Sequence, residues 1–183
     1  MVNLSSTAAR FEIPFTVVEG GSGVFKGVLA EAEQNSQPSY VFSPPRLVLR
    51  VRTSGVLKPG VAIQSPEGIV YLVGYNGPSE THMGHLWDSF RLFKATEKVL
   101  WQRRIKIVDP VTGLDRDAGL QTIGNVWAAI EQIDREVLDR KVHASVEQAR
   151  YVCSANILAD DVLNDRQVTR ADKQLGLTMG TLS

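Results

Sequence analysis

Few side chains in this sequence have the types and spacing that chemistry requires. His82 and His85 stand three apart with Glu80 and Asp88 nearby, a spacing that offers two ligands to a metal ion, but no Cys follows at a finger-like distance. Asp109, Asp115 and Asp117 crowd one segment, yet Arg116 interrupts them and the terminal Glu of a calcium loop is absent. Gly20-Gly21-Ser22-Gly23 lacks the Lys-Ser/Thr ending of a phosphate loop and has no strand–helix alternation around it, so it reads as a turn or tether. A nucleophilic Ser or Cys needs a placed base; no Gly-x-Ser-x-Gly elbow occurs, and His82, His85 and His143 all fall in polar segments read as loops. The lone cysteine, Cys153, sits among Tyr151, Val152 and Ala155, where it behaves as a small hydrophobe. The sequence therefore predicts a protein that is not an enzyme, with no catalytic residue, no metal ligand and no cofactor.

What surrounds these residues is a succession of strand signals. Phe11 to Val18 and Val24 to Leu29 read as a hairpin across the glycine cluster, followed by a polar connection from Glu31 to Ser39. From Arg46 to Arg52, strict alternation places Leu47, Leu49 and Val51 on one face and Arg46, Val48, Arg50 and Arg52 on the other, the pattern of a solvated or intersubunit sheet face. Residues 56–63 and 69–75 flank the turn Ser65-Pro66-Glu67-Gly68 as the clearest hairpin, and Phe90 to Lys94 follows as a further strand. Val99 to Val108 is expected to be a strand ending at the turn Asp109-Pro110-Val111-Thr112-Gly113, with a polar segment to Gly119 and another strand from about Thr122 to Ile133. Residues 134–149 carry either a helix or a long excursion, because Ile130, Ile133, Val137, Leu138 and Val142 have helical spacing. Tyr151 to Leu158 and Gln167 to Arg170 return to strand character, and the tail from Gly176 either docks as a last strand or remains free.

The fold class that follows is mainly β, a small antiparallel β-barrel or sandwich with long loops and at most one short helix. Its expected division is an N-terminal hairpin and connecting arm over residues 1–45, then a barrel over 46–183 with a long loop at 134–149 and an extended C-terminal tail. Trp101, Trp127 and Tyr71 fall within strand-like runs and are candidates for the core or an interface. The 183 residues, 43% hydrophobic, are enough to build a core, and no window approaches the roughly 18 uncharged apolar residues of a membrane helix. The N-terminus has neither a basic start nor an apolar signal core. Twenty basic and twenty acidic residues cancel, which removes the general cationic bias of proteins that grip nucleic acid through phosphates and lowers one barrier to self-association.

One run carries a resemblance. Trp101-Gln102-Arg103-Arg104-Ile105-Lys106-Ile107, then Asp109-Pro110-Val111-Thr112-Gly113, Val126-Trp127-Ala128-Ala129-Ile130-Glu131, Arg135-Glu136, Tyr151-Val152 and Asp165-Arg166 resemble, in order and approximate spacing, the head-tail joining (head-closure, or stopper) proteins of tailed bacteriophages. The segment from Leu57 to Lys94, with Gly68 and Tyr71 flanking its turn, is similar to that family's closing hairpin. Here this hairpin precedes the Trp101 segment, which calls for either a permuted strand order or an independent hairpin of the same chemistry. The resemblance implies a virion structural protein of the neck, assembled in the host cytoplasm, that forms a ring, helps to close the portal channel after DNA packaging and offers the tail a docking surface. Its implied partners are further copies of itself, a portal or adaptor protein, a tail terminator or tail tube protein, and packaged DNA in transient contact. Residues 134–149 would then be a channel-facing loop carrying Arg135, Asp139, Arg140, Lys141 and His143, whose mixed charge gives weak, salt-sensitive attraction to DNA. Two alternatives stand beside it: a tail-completion or baseplate component, and a small-ligand or metal-binding β-barrel enzyme using His82 and His85.

Overall fold

A computed structural model describes residues 11–31, 47–53, 57–75, 77, 80–82, 85–133 and 148–183, and among these every regular element is a β-strand. The first sheet comprises β1 (Ile13–Glu19), β2 (Val24–Glu31), β3 (Leu47–Arg52), β4 (Ala62–Gln64), β5 (Val70–Tyr75), β6 (Glu80–His82) and β7 (His85–Lys94). Because β3 pairs with β7 as well as with β2, the ladder closes on itself in the order β3-β2-β1-β4-β5-β7, and β6 is an extra strand on β7. The second sheet comprises β8 (Glu97–Val108), β9 (Asp115–Ile133), β10 (Gln148–Cys153), β11 (Val162–Leu163), β12 (Arg166–Gln174) and β13 (Leu177–Leu182), closed in the order β10-β13-β12-β11-β8-β9. Closure removes the sheet edges from the body of each barrel, leaving them only at β6 and at the far half of the β8–β9 hairpin.

The two barrels are the same barrel built twice. Matching β1 with β8, β2 with β9, β3 with β10, β4 with β11, β5 with β12 and β7 with β13 superposes one strand order on the other. The registers agree at the inward positions, with a bulge between Val168 and Arg170 that β5 lacks. Val73 pairs with Leu92, which pairs with Leu47; Val168 pairs with Leu182, which pairs with Ala149. Continuing round, Leu49 meets Leu29 as Tyr151 meets Ile130, Phe25 meets Phe15 as Val126 meets Val99, and Val17 meets Ile63 as Trp101 meets Leu163. Even the crossover loops match: Gly60 N–H donates to Val73 O and Val73 N–H to Val61 O, while Asp160 N–H donates to Val168 O and Val168 N–H to Asp161 O. Gly60 and Asp160 share a left-handed backbone, with φ of 87° and 71°. At Gly60 a side chain is also excluded by contact, since a Cβ there would stand 2.8 Å from the carbonyl oxygen of Gly176 in the second barrel.

Each barrel is filled by the inward half of its strands. Phe15 and Phe25 stack at 5.6 Å in the first, with Leu49, Ile63, Tyr71, Val73, Phe90 and Leu92 around them. In the second, Val99, Val126, Tyr151, Cys153, Ile157, Leu163, Val168 and Leu182 fill the interior. A third apolar cluster lies between the barrels and joins them.

Several expectations change here. The expected hairpin is present as β1–β2, but β1 also pairs with β4 and β2 with β3, so it is one third of the first barrel and residues 46–183 do not form one barrel; the connecting segment 32–46 lies outside the described residues. The Leu57 to Lys94 segment belongs to the first barrel and the Trp101 and Trp127 strands to the second, so the two segments that carry the resemblance do not share one barrel. The polar segment to Gly119 is strand, for β9 starts at Asp115 and pairs back to Val108. His82 of β6 and His85 of β7 are paired strand residues, not loop residues. The C-terminal tail is the central partner of β10 and β12. Residues 134–147, and with them Arg135, Asp139, Arg140, Lys141 and His143, lie outside the described residues, as does Arg46; residues 148 and 149 belong to β10.

Candidate assembly surfaces

Among the described residues no group of three or more His, Cys, Asp and Glu side chains converges, and the polar side chains that do converge hold the fold together. Asp161 is the most connected. Its carboxylate, 2% exposed, accepts from Trp101 Nε1 at 2.8 Å, from Arg103 Nε and Nη2 at 2.9 Å each, and from the Leu158 N–H at 3.0 Å. Burial pushes its pKa up, but the donors from Arg103, Leu158 and Trp101 outweigh that and hold it below the usual carboxylate range. The Arg103 guanidinium also lies 5.2 Å from the Trp101 ring centroid. Trp101 is thus a half-buried brace between β8 and the β10–β11 loop, and its adjacent Arg103 is part of the same brace.

The joint between barrels combines apolar and polar contact. Ala62, Val70, Leu72, Phe93 and Ala95 from the first barrel cluster with Ala129, Val152, Leu177 and Met179 from the second, and Trp127 and Leu175 pack on the rim. Glu19, at the end of β1, reaches across: its carboxylate accepts from the Trp127 N–H at 3.1 Å and from the Ser154 hydroxyl. The β12–β13 turn presses on the same joint. Leu175 there has φ of 55°, a conformation that costs a branched side chain about 1 kcal/mol or more. It is held by packing in the joint and by the Tyr75 N–H, which donates to its carbonyl at 2.7 Å. Trp127, with Lys98 Nζ 5.8 Å from its ring centroid, is therefore a joint residue, while Tyr71 is a core residue of the first barrel whose phenol pKa is raised by burial and by Glu67.

The most conspicuous outward feature is the far half of the β8–β9 hairpin. Beyond Trp101 and Gln102, which still touch β11, the strands pair only with each other. Residues 103–108 and 115–121, joined by five residue pairs from Arg103↔Gln121 to Val108↔Asp115, project as a two-stranded ribbon on the order of 20 Å long. Asp109 turns its tip by accepting from the Val111 and Thr112 N–H groups, which lower its pKa, and Gly113 N–H closes on Asp109 O. Arg104 pairs with Asp117 along one side. The three aspartates of this segment thus serve turn and ribbon. Ile107, Val108, Val111 and Leu114 are 56%, 60%, 91% and 69% exposed. In the first barrel the matching hairpin, β1–β2, turns at once over Gly20–Gly23. The first barrel closes without such a ribbon, and the ribbon's tip carries its apolar side chains in water.

The Arg50 face is the other surface of note. Arg50 and Arg52 point outward from β3; Arg52 bonds Glu12 and lies 5.6 Å from the Trp87 ring centroid, and Arg50 is exposed. Sequence reasoning had the face but not the hub at Asp161 or the strap at Glu19. The signal for a repeat was present in Leu57-x-x-Gly60-Val61-Ala62-Ile63 against Ile157-x-x-Asp160-Asp161-Val162-Leu163.

Comparison of the chain with protein-family models, with curated proteins and with solved structures finds no match. No helix long and apolar enough to cross a membrane occurs among the described residues.

Proposed function

We propose that this chain is a structural connector of a tailed-phage neck, a ring-forming protein that helps to close the portal channel and presents a docking surface to the tail. The observation that carries the reading is the placement of the residues resembling head-tail joining proteins. Trp101 to Ile107 lie on β8, Asp109 to Gly113 form its turn, Val126 to Glu131 lie on β9, Tyr151 and Val152 on β10, and Asp165-Arg166 enter β12, all in the second sheet, with Arg103 to Gly113 on its projecting ribbon and Arg135-Glu136 outside the described residues. The exposed apolar ribbon supports it, since a connector must present a protein-binding element and needs no reactive centre. Zero net charge suits a part that meets DNA without gripping it.

The experiment is localisation. Phage particles carrying an epitope-tagged copy of this chain are imaged with labelled antibody, expecting label at the head-tail junction and DNA-deficient heads when the chain is withheld. Label at the tail tip would favour the tail-completion or baseplate reading instead, and its absence from particles would end the virion assignment.

A further inference from the structure

The joint within one chain is heterologous: two different sides of the same kind of barrel are in contact. The first barrel uses its β4–β5–β7 side, with Val70, Leu72 and Phe93; the second uses its β9–β10–β13 side, with Trp127, Ala129, Val152 and Met179. Each chain therefore keeps one unused copy of each side. By the register equivalence, Lys26, Val28, Arg50 and Ser89 of the first barrel occupy the places of Trp127, Ala129, Val152 and Met179; Lys26 and Arg50 are exposed and Val28 partly so, while Ser89 is already buried within its own chain. On the second barrel, Asp165, Gln167 and Ser183 occupy the places of Val70, Leu72 and Phe93.

We infer that the contact joining the barrels within a chain is repeated between chains, the Asp165 side of one copy seating on the Arg50 face of the next. The inference rests on the connector reading and supplies the surface that reading lacks. Two observations argue for a second copy as the occupant. The shapes are already matched, because a barrel of this topology with this strand order sits in that position inside every chain. The charges are matched too: where the joint places Val70 and Val152 in one apolar cluster, the free faces place a carboxylate and a guanidinium, both exposed. The difference in polarity follows from when each contact forms. A joint within a chain never separates and can be apolar, whereas a face that waits in water for its partner must stay polar. A heterologous contact leaves both ends unsatisfied, so it propagates, as a ring where its rotation closes and as a filament where it does not.

The test uses the full chain. Arg50→Cys and Gln167→Cys are made separately, with Cys153 too deeply buried to compete, and melting temperatures confirm that both exposed substitutions leave the fold intact. A short bifunctional thiol cross-linker should give a dimer band when the two variants are mixed and a ladder from the double variant. Sedimentation should show association that rises with concentration, weakens about tenfold in Arg50→Glu and returns when Asp165→Arg is added. A chain that stays monomeric without mixed cross-links, or one in which Arg50→Cys links only to itself, overturns the contact. Association that survives Arg50→Glu but is lost in Val111→Asp also overturns it while leaving the connector reading intact. A neck label absent from particles defeats that reading and not the contact.

Discussion

The ring of Tyr151 lies directly over Gly180, its partner across the β10–β13 ladder, and its hydroxyl donates to the Arg170 carbonyl at 3.4 Å. A Cβ added at Gly180 would overlap that carbonyl and stand 2.8 Å from Cε1 of Tyr151. At the same place in the first barrel Leu49 faces Phe90. The large and small members of the pair have exchanged strands, which keeps the volume at that level of the barrel filled.

Gly180→Ala is accordingly expected to destabilise the chain by about 3 kcal/mol, the upper range for an overpacked core with backbone in the way. Gly124→Ala is the control, for a Cβ there meets nothing within 4 Å. Denaturant unfolding of the two variants should differ by most of that amount; equal midpoints would contradict the contact.

Removal of the charge at Asp161 is expected to cost about 2–3 kcal/mol in Asp161→Asn, since Arg103 and Trp101 lose a buried acceptor while Arg103 retains access to water. The folded carboxyl titrates below its unfolded value. Its stabilisation is therefore complete above about pH 4 and is lost as pH falls through the folded value below that. Thermal melts against pH should show an acid-side decline in the parent that is shallower in Asp161→Asn.

Glu19 and Ser154 belong to different barrels, so their bond reports on the joint. Glu19→Ala and Ser154→Ala should each destabilise by about 1 kcal/mol, with a coupling of similar size in the double-mutant cycle. Strict additivity would show that the strap is not formed in solution.

Burial pushes the Cys153 thiol up to about 12, and no part of the residue is exposed. Modification by a maleimide at pH 7 should be negligible in the native chain and should become complete on denaturation. Fast native labelling would contradict the packing of β10 inside the barrel.

Val111→Asp with Leu114→Asp at the ribbon tip should change stability by less than about 0.5 kcal/mol, because both side chains already face water. If the ribbon is a docking element, the same pair should abolish incorporation into particles. Normal incorporation would remove the ribbon from the connector proposal.

The all-β class and the positions of most strands were legible because period-two alternation in runs such as Leu47 to Arg52, and turn chemistry such as Asp109 to Gly113, act within a few residues. The β8–β9 ribbon was misread at residues 115–121 because a strand that packs on nothing carries no alternation to find. The hub at Asp161 carried no local signal, since its four donors come from Trp101, Arg103 and Leu158, two of those residues about sixty positions away.

By itself, then, the sequence determined a charge-balanced composition, a strand-rich chain, and the local pairs that each turn joins. Only the tertiary structure decided that those strands close twice, that Val73 and Val168 hold the same place in two copies of one barrel, and that Arg50 stands where Val152 is buried. The reason is physical: barrel closure through β3–β7 and β10–β13 joins residues far apart in the chain, and the same inward positions are filled by Leu49 with Phe90 in one copy and Tyr151 with Gly180 in the other. Packing conserves volume and register and not residue identity, so a repeat of structure need leave little trace in the order of amino acids.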